Sequence, residues 1–163
     1  MKKNDLKDGK WLDDILSSEL TLPDKLRRIC DTLAAGKPHY DWVGFYLADN
    51  ATETLRLGPY RGAPTKHVRI QFGRGVCGRA ALSGKTLLIQ DVNQETNYLA
   101  CSIAVQSEIV VPILHNGCLT AVLDIDSHKK SAFSTDDRVF LERLSARIAP
   151  LFAGDFAETK CRD

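Results

Sequence analysis

Residues 108–126, EIVVPILHNGCLTAVLDID, decide the fold. Two runs of β-favouring residues flank His115-Asn116-Gly117, which predicts a β-hairpin. Side chains alternate across a strand, so the turn determines which of them share a face. A two-residue Asn116-Gly117 turn pairs His115 with Cys118 and sets Glu108 opposite Ile125, sending the acids to different faces. A three-residue loop with Gly117 left-handed pairs Glu108 with Asp124 instead. The longer loop is preferred because it also stacks Ile109, Val111 and Ile113 against Leu123, Ala121 and Leu119. One apolar face and one acidic face, carrying Glu108, Asp124 and Asp126, result. Val110, Pro112 and Val122 share the acidic face, which marks it as partly enclosed rather than a solvated outer surface. Pro112 cannot donate to a ladder and points to an edge or a bulge. Like charges paired across strands repel, so the face suits a cationic ligand or holds a carboxyl of raised pKa.

Upstream of the hairpin, helical and strand periods alternate. Residues 11–20 suit a short helix; Pro23 opens a second, with Leu26, Ile29, Cys30 and Leu33 on its apolar stripe and Gly36 past its end. In WVGFYLAD, Val43, Phe45 and Leu47 point to one side while Trp42, Gly44 and Tyr46 point to the other. Residues 54–57 and 67–71 read as strands, with turns at Gly58-Pro59 and Gly62-Ala63-Pro64. GRGVCGRAALSG gives a glycine turn and a short helix ending near Gly84, and residues 86–90 a further strand. Residues 91–106 lack a period and are long for a connection, which is where functional loops are found. Ser134 and Asp137 resemble a capping box before the stripe Phe140, Leu141, Leu144 and Ile148. Helices flanking hairpin-connected strands argue an α+β domain with a central, mostly antiparallel sheet.

The length of 163 residues fits a single domain spanning 1–163, with residues 1–10 a flexible polar start and 155–163 a tail. A net charge of +1 with scattered basic residues argues against nucleic acid or an anionic membrane as partner. No run is apolar enough for a signal peptide or a membrane span, which predicts a cytoplasmic protein. The five cysteines, an odd number without metal-type spacing, are expected to be free thiols, with no metal and no cofactor. Cys30 reads as core; Cys118 and Cys161 read as bystanders. His67, His115 and His128 lack ligand spacing, and Asp91 and Asn93 suit turns.

Cys101 sits in that irregular segment among polar residues, seven positions before Glu108. A thiol of ordinary pKa is only roughly 3% thiolate at neutral pH, so an attacking cysteine gains from an exposed, backbone-rich setting. In order and at compatible spacing, DWVGFYL, LRLGPYRG, VRIQFGRGVCGRA, IQDV, ACSIAVQSEIVVPI, CLTAVLDIDS and FSTDDRVFLERL run through residues 41–144. The ordered set resembles a GAF domain, and more narrowly the free methionine-(R)-sulfoxide reductases built on that fold. The resemblance implies reduction of the free amino acid by Cys101 through a sulfenic acid and then a disulfide. It implies that Glu108, Asp124 and Asp126 bind the substrate amino group, that Glu108 and Asp126 assist protonation of the leaving oxygen, and that Trp42 and Tyr46 hold the S-methyl end. A thioredoxin-type reductant and a homodimer through the terminal helices are likewise implied. His67 stands where the family's usual resolving cysteine is expected, which leaves Cys77 as internal resolver or an external thiol in its place. Ser102 stands where an aspartate commonly follows the nucleophile. The competing reading is a non-catalytic GAF module that binds a small molecule or senses oxidants through a thiol. A cyclic-nucleotide sensor is disfavoured, since Phe133 and Asp137 match its pattern only in part.

Overall fold

The computed structural model describes residues 6, 8–99 and 104–153. Cys101, Ser102, Cys161, much of the expected polar start and all of the expected tail lie outside them. Two helices come first, α1 (Lys10–Ser17) and α2 (Leu22–Gly36). Thr21 caps α2 by accepting from the Asp24 amide, and Pro23 occupies the first turn, where its missing N–H has no helical partner to lose. Leu26, Ile29, Cys30 and Leu33 are buried as one stripe. The Cys30 thiol lies 3.6 Å from the Pro59 carbonyl, and burial raises its pKa far out of the reactive range, as packing requires.

Six strands follow with two more helices: β1 (Trp42–Asp49), β2 (Thr54–Arg61), β3 (Arg69–Gln71), α3 (Gly75–Ser83), β4 (Leu87–Ile89), β5 (Ser107–His115), β6 (Cys118–Ser127) and α4 (Thr135–Ile148). They form one sheet in the order β3-β2-β1-β6-β5-β4, with every neighbouring pair antiparallel. One face, bearing Val43, Phe45, Ile109, Val111, Ile113, Leu123 and Ile125, packs with the stripes of α1, α2 and α4 into the main core. The other face carries Trp42, Tyr46, Val110 and Val122 against Val76, Cys77 and Ala80 of α3. The α4 capping box forms as expected, and Asp137 also takes Lys37 at 2.8 Å and the Tyr40 hydroxyl at 3.1 Å, tying α4 to the chain leaving α2.

The central hairpin corrects the expected turn. Asn116 (φ 51°) and Gly117 (φ 82°) both take left-handed conformations in a two-residue turn, and His115 pairs with Cys118. That turn alone would split the acids between faces. A bulge removes the conflict: the register shifts between Ile113 and Leu114, so Leu114 faces Leu119 while Ile113 faces Ala121. Thr120, the extra residue, returns its hydroxyl to the Ile113 carbonyl at 2.9 Å. Beyond it Glu108 pairs with Asp126, not Asp124, and Ile109, Val111 and Ile113 pair with Ile125, Leu123 and Ala121. Burial decides the outcome. Ile109, Ile113, Leu123 and Ile125 are fully buried, and each is worth about 1.5–3 kcal/mol, more in sum than one irregular ladder step costs.

Two further irregularities matter. Gly58-Pro59 does not end β2; the strand runs on to Arg61, and the register shift between Gly44 and Tyr46 sets Gly58 and Pro59 together against Phe45. Pro112 lies past Val110, the last residue of β5 paired with β4, along the stretch whose outer edge β4 does not cover.

Candidate functional site

Two rows crossing the sheet build the site. Ile89, Glu108, Asp126 and Trp42 form one; Leu87, Val110, Asp124, Gly44 and Tyr60 form the next. Gly44 is required there. A Cβ at Gly44 would lie 2.2 Å from the Trp42 ring, so its absence lets the indole fold back over the strand towards the Asp124 row. Trp42 stacks on Tyr60 at 5.3 Å and on Tyr46 at 6.2 Å, and its Nε1 donates to the Ala63 carbonyl at 3.1 Å. The Tyr46 hydroxyl donates to the His67 carbonyl at 3.0 Å, fixing the ring against the β3 side. The parity expected for Trp42 and Tyr46 therefore holds in space. Tyr60 was not expected, because the bulge at Gly58-Pro59 sets its facing.

Asp124 and Asp126 are fully buried and Glu108 is 5% exposed. Cys77 joins them from α3, its Sγ 4.0 Å from Glu108 Oε1. The helix reaches this position because Gly78 passes close to the preceding turn, where a Cβ would meet the Gln71 carbonyl at 2.4 Å. The polar atoms of Cys77, Glu108 and Asp124 lie within 4.8 Å of one another, a spacing that would admit a cation. Neither Asp124 oxygen has a hydrogen bond of ordinary length. Burial comes first in raising the Glu108 pKa well above the usual carboxylate range, followed by the charges of Asp124 and Asp126; Arg79 opposes the shift. Burial likewise raises Asp124, to about 7, against the influence of Cys77 and Glu108. Such a cluster offers a proton donor and anionic acceptors side by side.

The chain bearing Cys101 leaves the described residues at Leu99 and re-enters at Ala104. Leu99 lies against Gly75 at the start of α3. Asn97 clamps the same turn twice, accepting from the Gly75 amide at 3.2 Å and donating to the Gly73 carbonyl at 3.0 Å. Glu95 pairs with Arg79 of α3 at 2.7 Å. Asn97, Glu95 and Arg79 went unread in the sequence, where polar residues outside any period carry no signal of their partners. Asp91 caps its own turn by accepting from the Asn93 amide at 3.1 Å, as expected. Cys30 and Cys77 are reduced thiols, but Cys118 is disulfide-bonded, which corrects the expectation of free thiols at that position.

The described residues thus present a six-stranded antiparallel sheet with α1, α2 and α4 on one face and α3 beside a buried acidic cluster on the other. The GAF domain model matches residues 19–153. The chain belongs to the GAF domain family. Protein YtsP of Bacillus subtilis is 44% identical over 116 residues, 71% of each chain. Free methionine-R-sulfoxide reductase of Saccharomyces cerevisiae is 43% identical over 110 residues, 66% of this chain and 61% of that one. A solved structure of free methionine-R-sulfoxide reductase from Neisseria meningitidis, in complex with its substrate, superposes with a TM-score of 0.80 at 34% identity, covering 86% of this GAF domain chain and 82% of the other. No helix of the described residues is long and apolar enough to cross a membrane.

Proposed function

We propose that this GAF domain reduces free methionine-(R)-sulfoxide to methionine. The observation that carries the reading is the buried trio of Glu108, Asp124 and Asp126 set beside the Trp42 indole. Carboxyl groups buried side by side are costly to ionise, and a substrate ammonium placed among them offsets that cost. The indole and the Tyr46 ring hold the S-methyl group and favour positive charge developing at sulfur. Glu108, which burial and its acidic neighbours keep protonated, delivers its proton to the sulfoxide oxygen, with Asp126 beside it.

Cys101 is the nucleophile in this reading. Its sulfur attacks the sulfoxide sulfur, the sulfur–oxygen bond breaks, and the oxygen ends on Cys101. Methionine leaves with the electron pair, so thiol plus sulfoxide become sulfenic acid plus thioether. The Cys77 thiol, already among the acids, then condenses with the sulfenic acid, releasing water and closing a disulfide. A thioredoxin-type dithiol reopens it and is itself oxidised. The alternative, a non-catalytic binding or thiol-sensing module, draws on His67 standing at the expected resolver position.

The experiment is to incubate the protein with dithiothreitol and free methionine-(R,S)-sulfoxide and quantify methionine by chromatography. Consumption of the R epimer by the wild type, lost in Cys101→Ala, is the expected result. Undiminished turnover by Cys101→Ala overturns the nucleophile, and binding without turnover by the wild type favours the alternative.

A further inference from the structure

We infer that Arg79 is the carboxylate-binding residue of the site, taking the α-carboxylate of a free amino acid on the Nε–Nη2 edge of its guanidinium. The inference rests on the reductase reading and deepens it. A free amino acid carries both charges on one carbon, so a pocket that holds the ammonium on acids must meet a carboxylate a bond or two away. Arg79 extends from α3, two residues after Cys77. It is the cation whose charge bears on Glu108, opposing the rise of that carboxyl.

Its hydrogen bonding is incomplete. Nη2 is paired with Glu95 Oε2 at 2.7 Å, while Nε is buried and has no hydrogen-bond partner. A guanidinium presents Nε–H and the neighbouring Nη–H as a parallel fork that matches the two oxygens of a carboxylate. Here a carboxylate already occupies one tine and leaves the other bare. A buried donor without a partner calls for a missing group, and one carboxylate spanning both tines supplies it. Glu95 thus marks the position that the substrate carboxylate takes, and yields Nη2 when the ligand binds. Because Glu95 belongs to the segment leading to Cys101, the exchange also couples occupancy of the pocket to that segment. The specificity that follows is for the free amino acid: a methionine sulfoxide esterified or in peptide linkage presents no carboxylate to the fork.

The test is titration calorimetry of L-methionine-(R)-sulfoxide and of its methyl ester with the wild type, Arg79→Gln and Arg79→Lys, with thermal melts confirming that each variant is folded. In the wild type the acid should bind roughly 10–100-fold more tightly than the ester, the range expected of a charged hydrogen bond. Arg79→Gln should abolish that preference by weakening the acid alone, and Arg79→Lys should restore part of it, since the charge remains but not the fork. Equal weakening of acid and ester by Arg79→Gln, or no change in either, overturns the assignment while leaving the reductase reading intact. A wild type that binds neither compound overturns both.

Discussion

The acidic cluster makes the protein less stable as pH rises, and Asp124→Asn should remove much of that dependence. In the fold the Asp124 carboxyl is raised from an ordinary 3.8 to about 7, chiefly by burial. A carboxyl of raised pKa binds its proton more tightly in the folded than in the unfolded chain. Its contribution is therefore fully present below about pH 4 and is lost as pH climbs through 7. Three units at about 1.4 kcal/mol each amount to about 4 kcal/mol; because Glu108 competes for the same protons, about 2–4 kcal/mol is the expected range. Asparagine cannot ionise, and its amide can donate towards the Glu108 carboxyl and the Cys77 sulfur that surround the site. Urea unfolding at pH 4.5 and pH 8 measures the difference. The variant should match the wild type closely at the lower pH and exceed it by about 2–4 kcal/mol at the higher. For a domain of this size that is roughly 3 °C in melting temperature per kcal/mol. A variant whose stability falls with pH as steeply as the wild type's, or that is weaker at pH 8, refutes the idea that Asp124 ionises at a cost in the fold.

Gly44→Ala should push the indole off the strand, since its Cβ would lie 2.2 Å from Trp42 and 2.8 Å from the Tyr60 Cβ. A loss of about 1–3 kcal/mol with altered tryptophan emission is expected, and an unchanged spectrum would mean that the slot is not formed. Asn97→Ala removes both bonds to the Gly73–Gly75 turn and should raise amide exchange across residues 92–99 while leaving β5 and β6 protected; uniform protection throughout contradicts the clamp. Cys77→Ser should keep turnover with dithiothreitol but lose it with thioredoxin, whereas equal rates with both reductants remove Cys77 as the resolving thiol.

Much of this was legible because it depends on local periods. The alternation in WVGFYLAD placed Trp42 and Tyr46 together, the stripe of α2 placed Cys30 in the core, and Ser134-x-x-Asp137 marked the start of α4. The shared face of Glu108, Asp124 and Asp126 was also legible, though through the wrong turn. A two-residue Asn-Gly turn and the apolar pattern demand opposite parities, and nothing local says which residue absorbs the mismatch. Thr120 does so only because the core on the far face is already fixed. Gly58-Pro59 misled for a similar reason: the pair punctuates an isolated strand, but beside β1 it is accommodated as a bulge, which also sets how Tyr60 faces. Arg79, Glu95 and Asn97 are polar residues whose partners are distant or irregular, and periodicity is silent about them. The disulfide at Cys118 depends on which cysteine the fold brings near, which spacing alone does not determine.

The sheet irregularities and the chemistry are the same feature seen at two scales. A regular hairpin closed by Asn116-Gly117 would bury the isoleucines or gather the acids, but not both, because each register assigns whole alternating sets to one face. The Thr120 bulge allows both at once, and the main core supplies the free energy that holds three carboxylates out of water. The Gly58-Pro59 bulge then sets Tyr60 against the indole, and Gly44 leaves room for that indole over the acid row. Deleting Thr120 should therefore spare the site. With the extra residue gone, Leu114 stays opposite Leu119 and Ile113 opposite Ala121, so an unbroken ladder still sets Glu108 opposite Asp126 and keeps the isoleucines on the core face. Only the Thr120 hydroxyl bond to the Ile113 carbonyl is lost, so the acid cluster should persist in the deletion variant; loss of its pH-dependent stability would refute the assignment of Thr120 as the residue that absorbs the mismatch.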